Sequence, residues 1–91
     1  MSKIKLIEAT APWCGVCKMI KPSIERFMSK MPEVEFTVVD IENDKIGADL
    51  VKSYGVKSVP AFFFYKDDVC VEYHIGNISL AELKTKLNNL K

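Results

Sequence analysis

The chain has 91 residues, 48% of them apolar, and a formal charge of +1, the size and balance of a single compact domain spanning residues 1–91 rather than a disordered or polyanion-seeking protein. Its lysines are scattered rather than clustered, which gives no case for nucleic acid as a partner. No apolar run reaches the length of a membrane span, and the start Met1-Ser2-Lys3-Ile4 does not read as a signal peptide, so the expected location is cytoplasmic, where structural disulfides are rare.

In chain order, Ile4-Lys5-Leu6-Ile7-Glu8-Ala9 reads as a buried central strand, apolar on both faces. Thr10-Ala11-Pro12 makes a short loop. A helix is expected from about Cys14 to Lys30, because Ile20, Ile24, Phe27, Met28 and Met31 recur at helical spacing. Pro22 lies inside it, removes the bond to the Lys18 carbonyl and predicts a kink at Lys18–Lys21. Val34 to Val39 forms a second strand ending at Asp40. A short helix starting at Asn43 or Asp44 is expected to turn Ile46, Leu50 and Val51 inward and to stop at Gly55 in a left-handed conformation. Ala61-Phe62-Phe63-Phe64-Tyr65 is a third, aromatic strand. After the turn Lys66-Asp67-Asp68, Val69 to His74 alternates as a fourth strand, antiparallel to the third. This alternation places Val69, Val71 and Tyr73 on an apolar face and Cys70, Glu72 and His74 on the other. The last helix is marked by a Ser79/Glu82 capping box, an Ile78/Leu83 staple and a buried stripe of Leu80, Leu83, Leu87 and Leu90. The order is βαβαββα.

The chemistry concentrates in Trp13-Cys14-Gly15-Val16-Cys17-Lys18, where a strand hands over to a helix. Three cysteines, an odd number, do not make a disulfide scaffold, so the CxxC pair is either catalytic or metal-binding. At a helix N-terminus the first amides lack intrahelical partners and the macrodipole is positive, which stabilises a thiolate at Cys14. Cys17, expected to be deeper and less exposed, is the natural resolving thiol. Such a pair suits thiol–disulfide exchange: Cys14 attacks a disulfide and Cys17 displaces the product.

The WCGVCK motif, the helix proline Pro22, the Val59-Pro60-Ala61 step into an aromatic strand and Gly76 before the last helix resemble the thioredoxin family over nearly the whole chain. The resemblance implies an α/β thioredoxin-like fold with a minimal four-stranded mixed sheet flanked by three helices. It also implies dithiol exchange through Cys14 and Cys17, and a cis Pro60 lying against the pair. Trp13, Val59, Pro60 and Gly76 would then line a groove for protein substrates. Glu8 stands where the family often has a buried acid, and such an acid relays a proton to or from Cys17. The resemblance further implies a monomer that reduces disulfides in protein partners and needs no bound cofactor, its electrons coming from a separate NADPH-dependent flavin enzyme of the thioredoxin-reductase kind.

Several positions depart from the family pattern. In its 91 residues the sequence leaves no room for the additional strand and helix with which familiar thioredoxins begin, so the expected frame resembles the minimal core seen in glutaredoxins. Val16 replaces the usual proline between the cysteines, and Phe36-Thr37-Val38-Val39 offers no lysine beside the buried acid. Gly76-Asn77-Ile78-Ser79 lacks the Gly-Asp-type element of glutaredoxins, which weakens a glutathione-dependent alternative. Two other classes compete: a CxxC metal module and a redox-silent adaptor binding through the groove at Pro60. Cys70 and His74 would complete a four-ligand zinc set by count alone. The simpler expectation is a half-buried Cys70 and a surface His74, with the Asp40, Glu42, Asp44 and Asp49 run a solvated loop and helix start.

Overall fold

The computed structural model describes residues 3–91. Its elements are β1 (Ile4–Thr10), α1 (Gly15–Ser29), β2 (Val34–Asp40), α2 (Lys45–Tyr54), β3 (Ala61–Lys66), β4 (Val69–Ile75) and α3 (Leu80–Asn89). They form one four-stranded mixed sheet in the order β2-β1-β3-β4. β1 and β2 are parallel, with Glu8 opposite Val38, and β3 runs antiparallel to both β1 and β4. This is the α/β architecture expected from the sequence.

Strand alternation sorts the core into two layers. Leu6, Phe62 and Phe64 face one side, where they meet Ile24 and Met28 of α1 and Leu83 and Leu87 of α3. Ile7, Ala9 and Phe63 face the other, against Leu50 of α2 and Val56. Glu8, between Ile7 and Ala9, therefore points towards α1 rather than α2. α1 runs through Pro22 as one helix. Asp67 and Asp68 both take positive φ (53° and 68°), the conformation that a two-residue hairpin turn requires, and Asp67 is bonded at both ends to Lys3.

The inward face of α2 differs from the expected one. Ile46 is 52% exposed, and the buried positions are Gly47 and Leu50, with Val51 partly covered. Gly47 decides this: a Cβ there would run into the Asp40 carbonyl, so only a bare backbone lets the helix approach the end of β2 so closely. Gly55 closes α2 at φ 63°, donating its N–H to the Val51 carbonyl as expected.

In α3 the Ser79 Oγ accepts the Glu82 N–H at 3.1 Å, and Ile78 and Leu83 share one core cluster. Only half of the capping box forms, because the Glu82 carboxylate turns to His74 Nδ1 at 3.8 Å instead. Leu80, at the first helical position, is 40% exposed and leaves the buried stripe to Leu83, Leu87 and Leu90.

β4 corrects the plain alternation. The pairing of β3 with β4 shifts register between Phe64 and Tyr65: Phe64 faces Glu72, whereas Tyr65 faces Cys70. One extra residue, Val71, is bulged out, and the parity of the strand reverses there. Cys70 consequently packs on the α2 face, with Tyr73 stacked near Phe63, while Glu72 and His74 point to α3. Val69, Val71 and Tyr73 are all at least half exposed, as residues on an uncovered edge strand.

Candidate active site

The site is built where β1 ends. After Thr10 the chain turns, with the Cys14 N–H donating to the Ala11 carbonyl at 3.1 Å, and α1 begins. Cys14 is the N-cap, with extended φ and ψ of −85° and 101°. Its Sγ accepts the N–H of Cys17 at 3.1 Å, the bond a serine or aspartate oxygen makes at an ordinary N-cap. No acidic side chain occupies the first turn, so the positive end of the helix acts on the sulfur without competition. When Cys14 is a thiolate this bond becomes charge-assisted, and the negative charge lies where the helix stabilises it.

Cys14 and Cys17 form a disulfide, with Cα atoms 5.3 Å apart. The expectation that Cys17 is the less exposed of the two is not met: they are 5% and 4% exposed, equally buried in this oxidised form. Exposure does not tell nucleophile from resolving thiol here. The two differ in the capping position: Cys14 alone receives the helix amide.

The loop before β3 covers the pair. The Val59–Pro60 peptide bond is cis, and Cys14 Sγ lies 3.6 Å from the Val59 carbonyl oxygen. Pro60 is buried and Val59 half-buried, while the Gly76 N–H donates to the Pro60 carbonyl at 2.8 Å, tying the end of β4 to this loop. Gly76 takes φ 102°, a backbone that favours glycine. Trp13 stands 62% exposed beside the pair, and its indole N–H donates to Glu42 Oε2 at 3.0 Å. Val16 and Met19, on the first turns of α1, are also exposed. Val59 thus meets Cys14 directly, Pro60 and Gly76 are bonded to each other behind it, and Trp13 precedes Cys14 in the chain with its ring turned to Glu42. Glu42, which the sequence presents as part of a solvated acidic run, is the residue that fixes the tryptophan. Only contact in space reveals that role.

Below Cys17, a cleft of about 200 Å³ reaches down to Glu8, with Lys21, Glu25, Val38 and Asp40 on its walls. Glu8 is 3% exposed. Its carboxyl is raised from 4.5 to about 7, chiefly by burial and next by the charge of Glu25, with Lys21 acting in the opposite sense. A carboxyl that titrates near neutrality can both take and return a proton at working pH. Asp40, at the cleft's edge, is held below the usual carboxylate range by bonds from the Asn43 side chain and the Glu42 and Asn43 amides.

The zinc set counted from sequence does not assemble. Cys70 lies on the α2 face of β4 and His74 on the α3 face, where its Nε2 is 3.0 Å from the Asn77 carbonyl. Among the described residues no group of three or more His, Cys, Asp or Glu side chains is placed to hold a metal ion. His74 is partly buried rather than a free surface residue.

A CxxC disulfide at a helix N-cap, covered by a proline loop on a mixed four-stranded sheet, defines the class of dithiol oxidoreductases built on the thioredoxin fold. The chain belongs to the thioredoxin family, whose model, described as Thioredoxin, matches residues 1–89. It is 37% identical over 75 residues to a thioredoxin of Ophiophagus hannah, an alignment covering 82% of this chain and 69% of that one. It is 32% identical over 87 residues to thioredoxin H8 of Arabidopsis thaliana, covering 96% of this chain and 56% of the relative, so it spans little more than half of that protein's length. Among solved structures, the thioredoxin of Fasciola hepatica superposes with a TM-score of 0.83 at 29% identity, over 98% of this chain and 82% of that one.

Proposed function

We propose that this protein reduces disulfides in protein substrates by dithiol exchange. The observation that carries the reading is the Cys14–Cys17 disulfide at the N-cap of α1, with Cys14 Sγ held between the Cys17 amide and the Val59 carbonyl. In the reduced protein, the Cys14 thiolate attacks one sulfur of a substrate disulfide. A Cys14–substrate bond forms and the other substrate sulfur leaves as a thiolate. Glu8 then takes the proton of Cys17, whose thiolate attacks Cys14. The Cys14–Cys17 bond forms, the mixed disulfide breaks, and the second substrate sulfur leaves and is protonated. Two electrons pass from the cysteine pair to the substrate.

The backbone at Val59, beside Cys14, would offer an extended substrate segment a place to pair, with Trp13 and Gly76 as further contacts. No bound cofactor enters these steps, since the electrons reside in the thiols. Regeneration falls to a separate dithiol donor, a flavin enzyme fed by NADPH, and a reducing compartment such as the cytoplasm suits a monomer carrying a free Cys70. Glutathione as the reductant is disfavoured by the Gly76-Asn77-Ile78-Ser79 segment.

The test is trapping. Cys17→Ser protein mixed with a disulfide-bonded protein substrate should accumulate a covalent adduct through Cys14 that dithiothreitol releases. Cys14→Ser should give no adduct. Absence of an adduct from Cys17→Ser, with Cys14 shown free by alkylation, would overturn the reading.

A further inference from the structure

We propose that Lys21 and Glu25, one turn apart on α1, are positioning residues that together set the charge on Glu8 and hence the pH range over which Cys17 resolves the mixed disulfide. The inference rests on the proton-relay reading of Glu8 and extends it to the groups that govern it.

The geometry is specific to this chain. Glu8 lies on the floor of the cleft, directed towards α1 by the alternation of β1, and Cys17 forms part of the same wall. The strand neighbour of Glu8 on β2 is Val38, which lines the cleft and brings no charge. Any cation acting on Glu8 must come from elsewhere. α1 supplies it: Lys21 and Glu25, at i and i+4, share the helix face over the cleft, so a positive and a negative group both look onto one buried carboxyl. Among the described residues neither is held in a salt bridge, which leaves both fields to act on Glu8.

The remaining charged groups at the cleft are Lys18 on α1, beside Cys17, and Asp40 on β2. Asp40 is engaged by Asn43 and two backbone amides and stays ionised through the neutral range, a constant background. The two helix residues oppose each other: Glu25 disfavours and Lys21 favours the charged form of Glu8. Burial makes Glu8 a weak acid and, by lowering the local dielectric, more responsive to charges beside it. The pair adjusts it from the surface, on residues that can change without disturbing the core.

The test uses protein carrying Cys70→Ser, so that only the CxxC thiols react. Glu8 is titrated in the disulfide form, where neither active-site cysteine ionises, by carbon-13 NMR of labelled glutamate carboxyls, its resonance assigned by its loss in Glu8→Gln. In parallel, reduced protein is mixed with the disulfide of thionitrobenzoate. The first release of thionitrobenzoate reports attack by Cys14, and the second reports resolution by Cys17. Glu25→Gln should lower the Glu8 midpoint and Lys21→Met should raise it, each by roughly half a pH unit or more. Lys21→Arg should restore the parent value, and the pH profile of the second release should move in the same sense in each variant.

Both side chains are solvent-exposed, so the variants keep the fold. A merely structural role would not give shifts of opposite sign. Shifts of one sign in both variants, or none, overturn the inference while leaving the relay standing if Glu8→Gln still removes the pH dependence of the second release. If Glu8→Gln leaves that profile unchanged, the relay reading itself fails, and this inference falls with it.

Discussion

The surroundings of the cysteine pair and the β3–β4 edge contain the same kinds of residue and put them to different ends. One holds Cys14, Glu8 and Trp13; the other holds Cys70, Glu72 and Tyr73. Cys14 caps a helix and receives an amide N–H, whereas Cys70 lies at the turn end of β4, its thiol 3.6 Å from the Glu72 carbonyl. Glu8 is buried at the bottom of the cleft and held up to about 7, whereas Glu72 reaches out to Lys86 at 2.9 Å. Trp13 stands out from the surface on a hydrogen bond to Glu42, whereas Tyr73 lies against Phe63 and Tyr54. At the edge, the hydrogen bond with Cys70 and burial push the Tyr54 hydroxyl up to about 12, away from proton transfer at neutral pH. Residue type alone does not make the site. A strand end, a helix start and a proline loop converging on two sulfurs do.

The sharpest way to break this comparison is to exchange the cysteines. Cys14→Ser should lower the turnover of a protein disulfide by at least about a thousandfold, the scale on which removing a nucleophile acts. Cys70→Ser should leave the rate within a factor of about two, as a thiol outside the exchange pathway would. Equal losses in insulin-type turbidity assays would erase the distinction between the two regions.

The carboxylates separate the regions in stability. Below pH 4.5 Glu8 is protonated in both folded and unfolded chains. Between 4.5 and about 7 the unfolded chain has released a proton that the folded one still holds, so stability contributed at this position falls as pH rises through that window. Above it the deficit is constant, of the order of 3 kcal/mol. Glu8→Gln should therefore raise stability relative to the parent at pH 8 by up to roughly that amount and give no comparable gain at pH 4. Urea midpoints of the oxidised proteins at the two pH values decide it, and an equal effect at both would show that burial does not raise this carboxyl.

Gly47→Ala tests the packing next to the site. The added methyl meets the Asp40 carbonyl, and the expected loss is about 1–3 kcal/mol in chemical denaturation. The smallest effect belongs to the edge: Lys86→Ala breaks the half-exposed pair with Glu72 and should cost less than about 1 kcal/mol.

Much of this organisation is legible in the sequence because it is local. The handover from β1 to α1 at Cys14, the Gly55 stop and the Ser79 cap follow from residues within a few positions of each other. The hairpin turn is as local, and Val59-Pro60-Ala61 marks the loop over the site. What escapes is set by contact between distant segments. The bulge at Val71 reverses the faces of β4, so Cys70 parts from His74, and nothing in the alternation of that strand announces it. Ile46 looks like a core position until Gly47 meets the end of β2. Glu42 looks like solvent-facing charge until Trp13 reaches it, and Val38 looks like any strand valine until it faces Glu8 across the sheet. These features arise where two elements meet, which a linear pattern does not encode.

The most direct test of the account is an equilibrium redox titration in dithiol buffers, followed by Trp13 fluorescence and by counting thiols. A single two-electron transition of the Cys14–Cys17 pair is expected at about −270 to −200 mV, where reductants of this kind operate. A transition near about −120 mV would turn the direction of electron flow around. No reversible Cys14–Cys17 disulfide at any potential would contradict the account altogether.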